Sequence, residues 1–204
     1  MKKKKNILIV VAILAIVAAV GSTMAAFVAS TTTNKEVSTS EMGIKIVQQE
    51  GNGAKGVKKI EATEGKGSGF QYAGMPGDTV EEAVKVANTK SKDCYVRVTI
   101  NRSWQDKNGE KDFELSPEEI EIIRNNDAWI VSEDPKDPEV IYCYYKSILT
   151  PGQSSENVMD SFSILKNSLE KNSNAYAGYQ TNITFEADAV QAVKGDASAR
   201  KAAL

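Results

Sequence analysis

The chain has 204 residues, 25 of them basic and 27 acidic, with two cysteines and no histidine. The missing imidazole excludes Ser-His-Asp triads, Cys-His dyads and His-ligated zinc, and two cysteines alone do not complete a structural zinc site. A slightly acidic balance argues against a nucleic-acid partner.

In chain order, residues 1–26 read as an export signal. Lys2 to Lys5 are a basic run, Ile7 to Val20 carry no polar side chain, and Gly21, Ser22 and Thr23 lead into Ala25 and Ala26. These are the n-, h- and c-regions of a secretory signal peptide. A retained anchor is the alternative, since counting on through Ala29 reaches the roughly 20 apolar residues of a span. The small residues favour cleavage. Without the signal, 21 basic residues face 27 acidic ones, a net charge of −6, which suits a soluble secreted protein. The remaining 178 residues suffice for one domain with a core.

Residues 27–42, rich in Thr, Ser and Val, read as an extended N-terminal arm, and 43–193 as the folded domain. Ile44 to Val47 is a short strand. Gly51 to Gly69 reads as loop, with one weak strand at Val57 to Ile60. Pro76-Gly77 is a turn, and Val80, Val84 and Val86 belong to the next strand. After a turn at Asn88 to Asp93, Cys94, Val96, Val98 and Ile100 alternate with Tyr95, Arg97 and Thr99. That period of two marks a half-buried strand with Tyr95 and Arg97 facing outward. Ser116-Pro117-Glu118-Glu119 has the form of a capping box with Pro at the first helical position, and predicts one short helix with Ile120 and Ile123 on its apolar side. Ala128 to Val131 and Val140 to Leu149 flank an acidic, Pro-containing turn as a hairpin. Val158 to Leu165 and Gln180 to Val193 add strands, with Ile183, Phe185, Ala187 and Ala189 on one face. Residues 194–204 read as a frayed tail. About eight strands with turns between them predict an all-β fold, a jelly-roll-like antiparallel β-sandwich with one short inserted helix.

The candidate chemistry is sparse. In an exported protein Cys94 and Cys143 could form a disulfide, or be two small buried apolar residues; both readings stand. Glu133, Asp134, Asp137 and Glu139 crowd one loop, but their spacing matches no EF-hand and the two prolines make it a hairpin turn. Gly65, Gly67 and Gly69 alternate with Lys and Ser and precede no helix, so they are not a phosphate loop. Tyr142, Tyr144 and Tyr145 with Trp129 could form a ligand surface. Adjacent strand residues face opposite sides, so Tyr144 and Tyr145 cannot share one core. No catalytic residue, metal ligand or cofactor is expected.

Taken together, these segments resemble the TasA/camelysin family of Gram-positive exported proteins. The resemblance runs through Gly21 to Phe27, Met42-Gly43-Ile44-Lys45-Ile46, Pro76-Gly77-Asp78, Tyr95-Val96-Arg97-Val98, Tyr144-Tyr145-Lys146 with Pro151-Gly152, and Ala187, Ala189, Val190 and Gln191. Cys94, the Gly/Lys-rich segment and the polar arm depart from the family pattern. The resemblance implies cleavage between Ala26 and Phe27 by a dedicated endoplasmic-reticulum-type signal peptidase. It implies a secreted jelly-roll domain of the cell surface or biofilm matrix that self-associates into fibres by strand exchange. The donor strand would be the arm, through Phe27, Val28, Thr31, Thr33 and Val37, joined to a neighbour's sheet edge by main-chain hydrogen bonds. The membrane would be met only through the uncleaved signal. The alternative is a monomeric surface adhesin or accessory protein. Some family members have been described as metalloproteases, for which this chain has no matching ligand set.

Overall fold

The structure, a computed structural model, describes residues 28–31, 43–50, 56–61, 67–124, 126–165 and 176–192. The signal and the tail lie outside the described residues. In chain order the strands are β1 (Val28–Thr31), β2 (Ile44–Glu50), β3 (Val57–Ile60), β4 (Ser68–Tyr72), β5 (Thr79–Val80), β6 (Glu82–Asn88), β7 (Cys94–Gln105) and β8 (Lys111–Asp112). A 3-10 turn (Pro117–Glu119) precedes β9 (Ile120–Ile123), β10 (Trp129–Asp134), β11 (Asp137–Tyr145), β12 (Ser161–Ile164) and β13 (Gln180–Gln191). The fold is all-β and sandwich-like.

The large sheet is built around β7 and β13, antiparallel over twelve residue pairs from Gln105↔Gln180 to Cys94↔Gln191. Its strand order is β10-β11-β7-β13-β4-β3, with β8 beside the end of β7. Two short strands share one flank of β13: β4 pairs with Thr181 to Phe185, and β1 with Ala187 to Val190. The opposite layer holds β2-β6 and β5-β12-β9, tied together by bridges Val84↔Met159 and Ala87↔Ser154. Strict alternation puts Val96, Val98, Ile100, Ile183, Phe185 and Ala187 into one core with Ile44, Val84, Val86 and Phe162 of the other layer, as the period of two requires.

Three segments differ from the sequence reading. The short helix is absent. Ser116 does cap, its Oγ accepting from the Glu118 amide at 3.3 Å, but the chain turns extended at Ile120 after a single 3-10 turn. Ile120 and Ile122 are buried while Glu121 and Ile123 face out, and the strand pairs with β12. A β-branched run with a sheet partner prefers that pairing to a second helical turn.

Second, β7 continues past Ile100. Arg102 points inward because its guanidinium is satisfied there: Nε donates to the Pro138 carbonyl at 3.1 Å and Nη1 to the Ile120 carbonyl at 3.0 Å. Third, β4 lies where the glycines suggested loop. A side-chain carbon on Gly69 would sit 1.8 Å from the Ile183 carbonyl oxygen, so glycine there lets two strand backbones approach.

Candidate functional site

The expected donor segment is partly visible. Val28↔Val190, Ala29↔Ala189, Ser30↔Asp188 and Thr31↔Ala187 set the register of β1 on β13 of the same chain. Its ladder uses one flank only: among the described residues β1 pairs with no other strand. The edge it covers is built of small side chains on the inward face, Ala187 and Ala189, both buried. Of the other residues expected to act at the junction or in the arm, Ala26, Phe27, Thr33 and Val37 lie outside the described residues. The chain re-enters at Gly43, whose carbonyl accepts from the Thr89 amide at 2.9 Å.

The two cysteines are free and buried. Cys143 stands opposite Val98, four residues along β7 from Cys94. Four strand residues span about 13 Å, beyond the roughly 7 Å that a disulfide bridges. Of the two readings the sequence left open, the geometry fits the pair of buried thiols. Burial pushes both thiols up to about 12, with the Asp93 charge adding to the effect at Cys94. The Cys94 thiol donates to the Leu149 carbonyl at 3.6 Å.

The acidic loop is the β10–β11 turn, and its carboxylates are occupied. Glu133 pairs with Arg124 at 3.2 Å and Glu139 with Lys111 at 2.6 Å. Asp134 Oδ1 accepts from the Lys136 amide and Asp137 Oδ1 from the Glu139 amide. Among the described residues no group of three or more Cys, Asp or Glu is placed to hold a metal ion.

The aromatic cluster splits between the two faces of the sheet. Trp129 and Tyr145 pack inward with ring centroids 4.9 Å apart. The Tyr145 hydroxyl donates to Glu156, and Trp129 Nε1 donates to the Glu156 carbonyl at 3.3 Å. Tyr144 points outward with Tyr142 and Tyr95. Arg97 lies among them, 2.6 Å from the Asp188 carboxylate and 5.8 Å above the Tyr142 ring.

Sequence reasoning missed two more tyrosine–carboxylate bonds, Tyr72 to Asp78 at 3.0 Å and Tyr176 to Glu119 at 2.7 Å. No spacing announces them, because each joins a strand or loop to another loop. It also missed an open cleft of about 350 Å³ where Met75, Asp106, Lys107, Tyr176 and Tyr179 meet at one end of the sandwich. Asp106 serves its own turn there, accepting from the Asn108 and Glu110 amides. Those backbone bonds, the Glu110 amide first, hold its carboxyl below the ordinary range. No protein-family model, curated protein or solved structure matches this chain.

Proposed function

We propose that this chain is a secreted structural subunit of the cell surface or biofilm matrix, assembling by exchange of its N-terminal arm, and that it is not an enzyme. The reading includes export by the signal, the cut before Phe27 and a jelly-roll wiring of the sandwich, as in the TasA/camelysin proteins it resembles. The observation that carries it is the placing of β1. A four-residue strand from the arm covers part of the β13 flank through main-chain pairing. The same segment of a second copy makes identical bonds there, so exchange trades equal contacts and the net cost is low. The small inward pair Ala187 and Ala189 leaves the slot undemanding of side-chain fit.

The register supplies the experiment. Val28 and Val190 are direct partners, so Val28→Cys with Val190→Cys locks the arm onto its own chain when oxidised. Protein starting at Phe27 should form filaments, the oxidised double variant should stay monomeric, and reduction should restore assembly. Mixed single variants should give covalent dimers. A locked chain that polymerises at the same rate would remove the arm from the mechanism. A chain starting at Met42 should stay folded and monomeric.

A further inference from the structure

The flank of β13 that carries β1 is shared, and its division decides how much of an arm it accepts. The Ala192 amide donates to the Asp93 carbonyl at 2.8 Å. Even-numbered residues of β13 therefore turn their main-chain groups toward β7, and odd-numbered ones toward the other flank. On that flank β4 pairs with Thr181 to Phe185, and β1 with Ala187 to Val190. The two short strands run in the same direction, end to end. Thr31 stands opposite Ala187 and Ser68 opposite Phe185, so the Glu186 position alone separates them. Gly67 occupies that position and is buried. A side-chain carbon on Gly67 would lie 2.4 Å from the Phe185 carbonyl oxygen and 3.2 Å from Glu186 Cγ, so the backbone there is already in contact with β13.

The arm's own sequence does not fix where it stops. Thr31, Thr32 and Thr33 are identical, and a slip of two residues preserves the alternation of faces. Ala187 and Ala189 are small and buried, so they select weakly among side chains. A slip toward β4 drives the arm into Gly67 and Ser68. A slip the other way puts Ser30 in place of Val28 opposite Val190 and loses an apolar cross-strand pair. We propose that the backbone at Gly67 and Ser68 is a register stop. An arm on this flank, its own or a neighbour's, pairs through Ala29 and Thr31 and leaves the sheet directly after Thr31. The neighbour's case rests on the arm-exchange reading above; the chain's own case does not. The two ladder amides of the arm are those of Ala29, opposite Ala189, and Thr31, opposite Ala187. Thr33 and Val37, expected in the donor strand, add nothing to this ladder.

The test places proline, which removes one ladder amide, at two positions of the protein starting at Phe27. Two rates are read. One is filament growth. The other is disulfide closure in the monomer between Val28→Cys and Val190→Cys, a non-hydrogen-bonded pair close enough to bridge. Ala29→Pro should slow both by about tenfold or more. Thr33→Pro should leave both within about twofold of the parent. Thr33 is the next amide of the same parity, so a ladder running past Thr31, or slipped by two, would make Thr33→Pro as harmful as Ala29→Pro. That result in either readout overturns the stop. Closure indifferent to Ala29→Pro overturns it as well. If closure behaves as expected while the parent forms no filaments, or forms filaments indifferent to both prolines, the stop stands and arm exchange falls.

Discussion

Tyr72, Tyr145 and Tyr176 each donate to a carboxylate outside the strands, and each ring rests on a second aromatic, Phe162, Trp129 and Trp104 respectively. Such a bond to a charged acceptor contributes about 1–3 kcal/mol. Tyr145→Phe should therefore lower unfolding free energy by about 1–2 kcal/mol in urea titrations at neutral pH. Burial first, then the bond to Glu156, pushes the Tyr145 phenol up to about 12. The buried thiols of Cys94 and Cys143 rise to about 12 as well. A folded-state value above the unfolded one means stability that is complete below the unfolded pKa and lost as pH rises toward the folded one. The thiol window opens near pH 9 and the tyrosine window near pH 10, both closing near 12. Within the thiol window stability should fall by about 1.4 kcal/mol per pH unit for each of the two thiols, while the more exposed Tyr145 adds less. Cys143→Ala should reduce that slope by one thiol's share whatever cavity it leaves; an unchanged slope would refute the assignment. In native buffer neither thiol should react with an aromatic disulfide reagent, and both should after denaturation.

At the scale of elements, Ile120 to Ile123 shows how a local signal loses to a partner strand. The capping residues Ser116 and Pro117 act as the sequence suggests, but they open a single 3-10 turn that ends at Ile120 instead of a helix. Ile120 and Ile123 share a helical face at a spacing of three, whereas in the strand Ile122 is buried and Ile123 is 39% exposed. Ile122→Ala should cost about 2–4 kcal/mol, and Ile123→Ala under about 0.5 kcal/mol. A reversed order would favour the helix. The glycine-rich segment makes the same point from the other side. Its composition reads as loop because glycine is weak in strands, yet Gly67 and Gly69 allow β4 to lie against the carbonyls of Phe185 and Ile183. Gly69→Ala should raise the fraction unfolded sharply in thermal melts, since its clash is with backbone and cannot be relieved by a rotamer change.

Across the whole molecule, β7 and β13 form the hub. Each is paired along both flanks, and their inward residues are almost fully buried. Their amides should exchange hydrogen only through global unfolding, while those of β1 should exchange through local opening with a lower free energy. Equal protection of β1 and β7 would make the arm a fixed part of the core and defeat strand exchange. The same hub turns its other face outward, where Tyr95, Arg97 and Thr99 of β7 and Thr184, Glu186 and Asp188 of β13 stand half-buried.

The sequence by itself determined the strands whose information is local. The alternation through Cys94 to Ile100 and through Ile183 to Ala189, and the Pro76-Gly77 turn, needed no partner to be read, because a strand's two faces are written in every second residue. The β10–β11 hairpin was equally legible from its proline-flanked acidic turn. Only the tertiary structure decided that Arg102 belongs inside, that Gly69 sits in a strand, that Ile120 starts a strand and that the two thiols stand too far apart to join. Each of these depends on a group far away in the chain: the carbonyls of Pro138 and Ile183, the strand Ser161–Ile164, and the register of β11 on β7. Pairing energy between distant strands is absent from any local window, and it outweighs local preferences that differ by no more than about 1 kcal/mol per residue.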